Sequence, residues 1–342
     1  TGGSNINQGT ALYAVACPDG EYKSTTVTDD CADVPNGSFG SIDGTSHASS
    51  AATSAVPCPY GTFNTDGTGA CTDVDAGKQA VNASGGSGTY VAIGAVDQLA
   101  CTVGYYNING NGPCVAVTAG YVSRTVNAAL SHSGASVAAG VSTVNINQAA
   151  ALYAVACPNG EYKGTTVTDE CQDVPDGSFA TNDGVSWVAQ AASTTAYCPP
   201  GYYNTDGTGN CDEAQPGYIT ATAGTNDATT FVAVDQHTSV GGTAAGSADI
   251  QVQCKDGYFK VHSGSGDCTE ARPGYLASDA TGTAVNAGAV QQMPCPIGTY
   301  KASAGVGTGA STTTCASCTV GKYQPATGQT VCIEADEGDY VS

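Results

Sequence analysis

Apolar residues along this chain do not recur at the 3.6-residue spacing of an amphipathic helix, and no window sustains that period between helix caps. They gather instead in short bursts beside cysteine. Eight segments open alike: CPDGEY at Cys17, CPYGTF at Cys58, CTVGYY at Cys101, CPNGEY at Cys157, CPPGYY at Cys198, CKDGYF at Cys254, CPIGTY at Cys295 and CTVGKY at Cys318. Each reads Cys-x-x-Gly-x-Tyr/Phe, then a turn rich in Gly, Thr and Asp, then a second cysteine. Glycine supplies the positive φ of a turn or bulge. The aromatic ring is expected to pack over the bridge, and the returning strand to carry the partner cysteine. Each segment therefore predicts a short β-hairpin.

The sixteen cysteines fall into successive pairs: Cys17/Cys31, Cys58/Cys71, Cys101/Cys114, Cys157/Cys171, Cys198/Cys211, Cys254/Cys268, Cys295/Cys315 and Cys318/Cys332. Separations within pairs are 13 or 14 residues, except 20 in the seventh, whereas separations between pairs vary. That contrast predicts sequential bridges. Closing a loop of about 14 residues contributes roughly 3 kcal/mol through the unfolded chain, so eight bridges offset a meagre core. Between bridged pairs the same opening returns with cysteine replaced, at Val34, Val74, Val117, Val174, Ala214, Ala271 and Ala335. Only Cys315-Ala-Ser-Cys318 keeps both cysteines at such a junction. The expected fold is all-β: small disulfide-rich tandem repeats forming an elongated rod of short hairpins with local contacts and almost no helix.

A longer duplication overlies this unit. Residues 11–40 match residues 151–180 at 24 of 30 positions, an offset of 140 that also carries NINQ and NTDGTG. The organisation expected is 1–16 as the end of an unbridged unit and 17–156 as the first long repeat. The second long repeat is 157–294, the most regular cysteine-rich repeat is 295–334, and 335–342 starts another unbridged unit. The eight residues from Ala335 and the sixteen up to Ala16 together match the length of units 34–57, 174–197 and 271–294. This predicts a head-to-tail junction between copies, which propagates a filament.

The run from Cys295 to Cys332, CPIGTYKASAGVGTGASTTTCASCTVGKYQPATGQTVC, resembles the growth-factor-receptor or ephrin-receptor-like cysteine-rich repeat. Such arrays occur in receptor ectodomains, protist surface antigens and mastigoneme-like proteins of flagellar hair filaments. The resemblance implies an extracellular structural or adhesive module and implies no catalytic residue.

Composition narrows the classes. Five leucines, one Trp and one Met leave a hydrophobic fraction of 41% made mostly of Ala, Val, Tyr and Cys, too small in volume for two compact cores. The net charge of −21 argues against nucleic acid and against an anionic membrane surface. No apolar run approaches the roughly 20 residues of a spanning helix. Paired cysteines in a Ser/Thr-rich acidic chain point outside the cytosol, secreted or at the cell surface.

No HExxH, GxSxG or P-loop sequence occurs, and the single CxxC lacks the second knuckle of a zinc ribbon. GVGTGAS at Gly305–Ser311 precedes no helix and reads as a turn. His47, His132, His237 and His262 are scattered, and His47 aligns with Trp187 across the duplication, a packing or surface position. A non-enzyme without cofactor is expected. Asp66 and Asp206 in NTDGTG are calcium candidates, with carboxylates at Asp29, Asp30, Asp169 and Glu170 beside bridges. Against them, a dedicated site needs about six to eight oxygens, and Asn-x-Asp-Gly is also an ordinary turn. Asn36-Gly-Ser38 and Asn82-Ala-Ser84 are N-glycosylation sequons, the first replaced by Asp176-Gly-Ser178 in the second repeat. Ser46–Ser54, Ser193–Thr195, Thr220–Thr230 and Ser311–Thr314 could carry O-linked glycans.

The function expected is a structural subunit of an extracellular filament or surface coat. Its partners are then copies of itself and other matrix or filament proteins. The alternatives are an adhesive or receptor-type ectodomain and a lipid-anchored protist surface antigen.

Overall fold

The computed structural model describes residues 13–24, 30–131, 146–221, 248–305 and 313–340. Several expectations fall outside these residues: the junction of Thr1 with Ser342, the groups of Asp29, His132 and His237, and most of the Gly305–Ser311 turn. Parts of the Thr220–Thr230 and Ser311–Thr314 runs do so as well.

Among the described residues all regular structure is strand. Fourteen two-stranded antiparallel sheets each pair one strand with its neighbour in the chain. Two kinds of hairpin make up the array. Bridged units have strands of two residues, as Glu21–Tyr22 against Ala32–Asp33. Unbridged units have strands of four, as Ser178–Thr181 against Thr194–Tyr197, in which Phe179 faces Ala196.

Every unit begins with the same turn. Glu21 N donates to Pro18 O at 3.2 Å and Ser38 N to Pro35 O at 3.1 Å, with Gly20 at φ 85° and Gly37 at φ 81°. Positive φ at the third residue makes this a type II turn, which selects glycine. The glycine carbonyl then holds the next unit. Val34 N donates to Gly20 O at 2.7 Å, and Cys58 N donates to Gly37 O at 2.8 Å. The relay runs on through Val74 to Gly61, Cys101 to Gly77 and so forth, ending with Ala335 N to Gly321 O at 3.0 Å. It is the same whether the opening residue is Cys, Val or Ala. A second tie uses the glycine N–H, which donates to the residue after the motif aromatic in the following bridged unit. Gly37 N reaches Asn64 O at 2.7 Å, and Gly298 N reaches Gln324 O at 2.8 Å.

The core is a series of small separate clusters. Val174, Ala180 and Ala192 form one, joined by Tyr162 and Val188. Val74, Ala80 and Ala95 form its counterpart with Phe63 and Val91, and Phe259 packs with Ala271, Ala277 and Ala289. In these three units the motif aromatic packs with the opening Val or Ala of the next unit, which corrects there the expectation that it lies over its own bridge. Tyr202, one residue before the motif aromatic, does pack with its own bridge. The bridge itself is covered from the preceding unit: Phe179 packs on Cys198 and Cys211, and Val122 on Cys157 and Cys171. The reason is geometric. The carbonyl relay draws each opening residue beside the preceding turn, directly before the strand that carries the aromatic.

Close approach between turns makes glycine obligatory at some positions. A Cβ on Gly120 would lie 2.2 Å from Ala191 O, whereas one on Gly44, at φ 77°, would meet nothing within 4 Å. Gly44→Ala should cost about 1–2 kcal/mol from positive φ alone. Gly120→Ala should cost clearly more, because backbone must move. Amide hydrogen exchange of the flanking units checks this ordering; equal effects would contradict it.

Candidate functional site

All sixteen cysteines are bridged: Cys17–Cys31, Cys58–Cys71, Cys101–Cys114, Cys157–Cys171, Cys198–Cys211, Cys254–Cys268, Cys295–Cys315 and Cys318–Cys332. Cα–Cα distances are 5.6–5.8 Å throughout. Among the described residues, seven of the eight bridged units bury one polar side chain at the same position.

That side chain follows the motif aromatic: Asn64, Asn107 and Asn204, or Lys163, Lys260, Lys301 and Gln324, all buried. Asn64 Nδ2 donates to Thr68 O at 3.1 Å, while its Oδ1 accepts from Gly67 N at 2.9 Å. Asn107 Nδ2 reaches Gly112 O and, across the unit boundary, Lys78 O at 2.9 Å. Lys260 Nζ donates to Gly264 O and to Tyr218 O at 2.8 Å; Lys301 Nζ donates to Gly305 O and to Tyr275 O at 2.9 Å. Each plug satisfies carbonyls of its own loop, and Asn107, Lys260 and Lys301 also reach one in the preceding unit. Burial pulls the ammonium pKa of Lys163, Lys260 and Lys301 below the ordinary lysine value, opposed by carboxylates such as Asp169, Asp267 and Glu270.

Plug length follows loop length. The 13-residue separations, Cys58–Cys71, Cys101–Cys114 and Cys198–Cys211, take Asn; the separations of 14 and 20 take Lys or Gln. Asn and Lys plugs alike reach a carbonyl four residues on, Asn64 to Thr68 O and Lys260 to Gly264 O, and the longer Lys260 and Lys301 side chains also reach the preceding unit. Sequence reasoning stopped the motif at the aromatic residue and missed this position. The signal was present: the next residue is Lys, Asn or Gln in all eight units.

The calcium candidates close turns. Asp66 Oδ1 accepts from Thr68 N at 2.9 Å and from Thr68 Oγ1 at 2.8 Å; Asp206 Oδ1 does the same with Thr208 at 2.9 and 2.7 Å. They lie in separate bridged loops. Among the described residues no three His, Cys, Asp or Glu side chains gather as metal ligands. Asp43 and Asp183 close turns in the unbridged units, Asp43 accepting from Ser46 N at 2.7 Å and Thr45 N at 2.8 Å. These backbone bonds hold both carboxyls far below the usual aspartate range.

His47 Nε2 meets Asp19 Oδ1 at 2.9 Å, and Asp19 Oδ2 accepts from Gly69 N at 3.1 Å. One carboxylate thus ties three successive units, and the hydrogen bond from His47 lowers its pKa. His262 is exposed elsewhere. The two sequons lie in different unbridged units. Asn36 is exposed at the second position of the Pro35–Ser38 turn. Asn82 is exposed after the strand Lys78–Val81, and its Oδ1, not the nitrogen that glycan transfer uses, accepts from Thr89 N at 3.0 Å.

Two outcomes follow from this geometry. Lys260→Met leaves two carbonyls without their donor and should destabilise its unit by about 1–3 kcal/mol. Lys78→Met removes a surface pair with Asp75 and should cost less than about 1 kcal/mol. Hydrogen exchange across 254–268 and 74–100 measures both, and comparable losses would refute the plug.

The second outcome concerns acid. Asp43 has a folded pKa below the unfolded value of about 3.9, so its contribution is complete above that value and is lost as pH falls through the folded pKa. The amide shifts of Thr45 and Ser46 should therefore stay native through about pH 3.9; a transition at or above that point would contradict the bonding.

Set against known proteins, the chain matches no family model and no curated protein sequence.

Proposed function

We propose that this chain is a non-catalytic structural subunit of an extracellular filament or surface coat, with copies associating end to end. The supporting observation is the carbonyl relay. The same bond joins Cys58 to Gly37, Val74 to Gly61 and Ala271 to Gly257, so any unit can hold any successor. Each unit touches its neighbours along the chain, an architecture that extends without closing. A second copy continuing the array would reuse that bond.

Groups suited to acid–base work have structural roles instead. Lys260 and Lys301 plug loops, Asp66 and Asp206 close turns, and Asp19 binds His47 and Gly69. Eight disulfides fit an oxidising, extracellular setting, and among the described residues no helix is long and apolar enough to cross a membrane. Exposed Asn36 and Asn82 are proposed to carry N-glycans there.

Electron microscopy of the native material tests the proposal. Filaments with copies following one another are expected, with peptides bearing Asn36 or Asn82 losing mass on enzymatic deglycosylation. Isolated particles released from membranes by a phospholipase would overturn the filament and support a lipid-anchored surface protein.

A further inference from the structure

The chain holds 18 Tyr but only five Phe, one Trp and one Met. Phe occupies buried positions at Phe39, Phe179 and Phe259. No thiol is free. Phenols are therefore the abundant oxidisable side chains, with few competitors for an oxidant.

Most tyrosines belong to the hairpin motif and are partly covered by neighbouring units. Tyr13, Tyr323 and Tyr340 are exposed, but their motif positions are shared with other units; Tyr153, the counterpart of Tyr13, is half-buried and pairs with Arg124 across its own hairpin. Two others are different. Tyr60, 54% exposed, stands two residues after Cys58, where the other bridged units place Asp, Val, Asn, Pro or Ile. Tyr197, 60% exposed, directly precedes Cys198, where other units place Pro, Ala, Gln or Ser. Its cross-strand partner is Ser178. Neither position requires an aromatic for folding, and both rings lie in the interior of the array, where added units at either end would not cover them.

We propose that Tyr60 and Tyr197 are sites of oxidative cross-linking between copies of this chain, forming dityrosine under a haem peroxidase and hydrogen peroxide. Each phenol gives up one electron and one proton. The two ring radicals join through a carbon–carbon bond ortho to the hydroxyls, and loss of the two ortho hydrogens as protons by tautomerisation restores both phenols. Peroxide takes up the two electrons and two protons and leaves as two waters. Covalent bonds between copies would add to noncovalent end contacts a link that reductants cannot break. A second phenol lies near the first: burial and the neighbouring Tyr60 phenol raise the pKa of Tyr90.

This inference rests on the extracellular structural reading, and the experiment separates the two. Native material is boiled in detergent with reductant and then mapped by peptide mass. Multimers that survive, containing Tyr60 and Tyr197 peptides joined with the loss of two hydrogens, are expected. Filaments that dissolve fully to monomer without dityrosine would overturn the cross-link and leave the structural reading standing. Links found only at Tyr13 or Tyr340, or only between Tyr60 and Tyr90 of one chain, would also overturn it. If native filaments are not found, the soluble full chain treated with peroxidase and hydrogen peroxide decides. Interchain Tyr60 and Tyr197 peptides should form, should vanish in the Tyr60→Phe/Tyr197→Phe variant, and should persist in Tyr162→Phe, whose ring packs against Val174 and Ala180. Their absence from the wild type would refute the proposal.

Discussion

The hydrogen bond from each opening residue to the preceding glycine carbonyl is what the rest of the array depends on. It requires a type II turn whose third residue has positive φ, and so it requires glycine. It requires only a backbone N–H from the following residue, and so it is indifferent to the side chain there. This explains how Val34, Val74 and Ala214 stand where other units have cysteine. The bridge closes a loop, while the relay joins one loop to the next. The chain can lose the first in alternate units without losing the second.

Small residues become useful under that constraint. Adjacent turns approach until backbone oxygens sit where a Cβ would go, as at Gly120 against Ala191. Ala180, Ala192, Ala277 and Ala289 fill the interior because little more fits. Apolar burial per unit is correspondingly slight. Loop closure by disulfides and hydrogen bonds from the buried plugs supply what a thicker core supplies elsewhere. A buried lysine would be an expensive choice in an apolar core, but a loop lined with carbonyls is a polar cavity, and an ammonium has three protons to offer it.

Much of this was legible in the residues. The hairpins could be read from Cys-x-x-Gly-x-Tyr/Phe, and the alternation from Val or Ala at the vacated cysteine positions. The partner of the aromatic was not legible, because spacing places a ring on a strand without saying which neighbouring unit slides beneath it. Phe179 over Cys198 rather than over its own unit's opening is set by the three-dimensional offset that the relay imposes. The plug was legible but unread: Lys260 looks like a surface cation until the carbonyls of Tyr218 and Gly264 are placed around it. His47 likewise had a partner 28 residues away that no local pattern announces.

The duplication separates what the array needs from what its surface carries. Across the 140-residue offset the turn glycines, the plugs Asn64 and Asn204, and the turn aspartates Asp66 and Asp206 remain. Asp19 becomes Asn159, yet Asn159 Oδ1 still accepts from Gly209 N at 3.0 Å, as Asp19 does from Gly69 N. The tie between units therefore needs an oxygen and not a charge, and the hydrogen bond with His47 is an addition peculiar to the first repeat; in the second, Trp187 stands at the position of His47. Asn36 gives way to Asp176, and Tyr60 to Pro200. Asn36, Asp176, Tyr60 and Pro200 are exposed, His47 and Asn159 half-buried, and the relay bonds are present in both repeats. An array of this kind can vary its exterior unit by unit at little cost to its frame. The sequon at Asn36 and the exposed phenol of Tyr60 are therefore features of particular units, whereas the turn glycines belong to every unit and the bridges and plug positions to every bridged one.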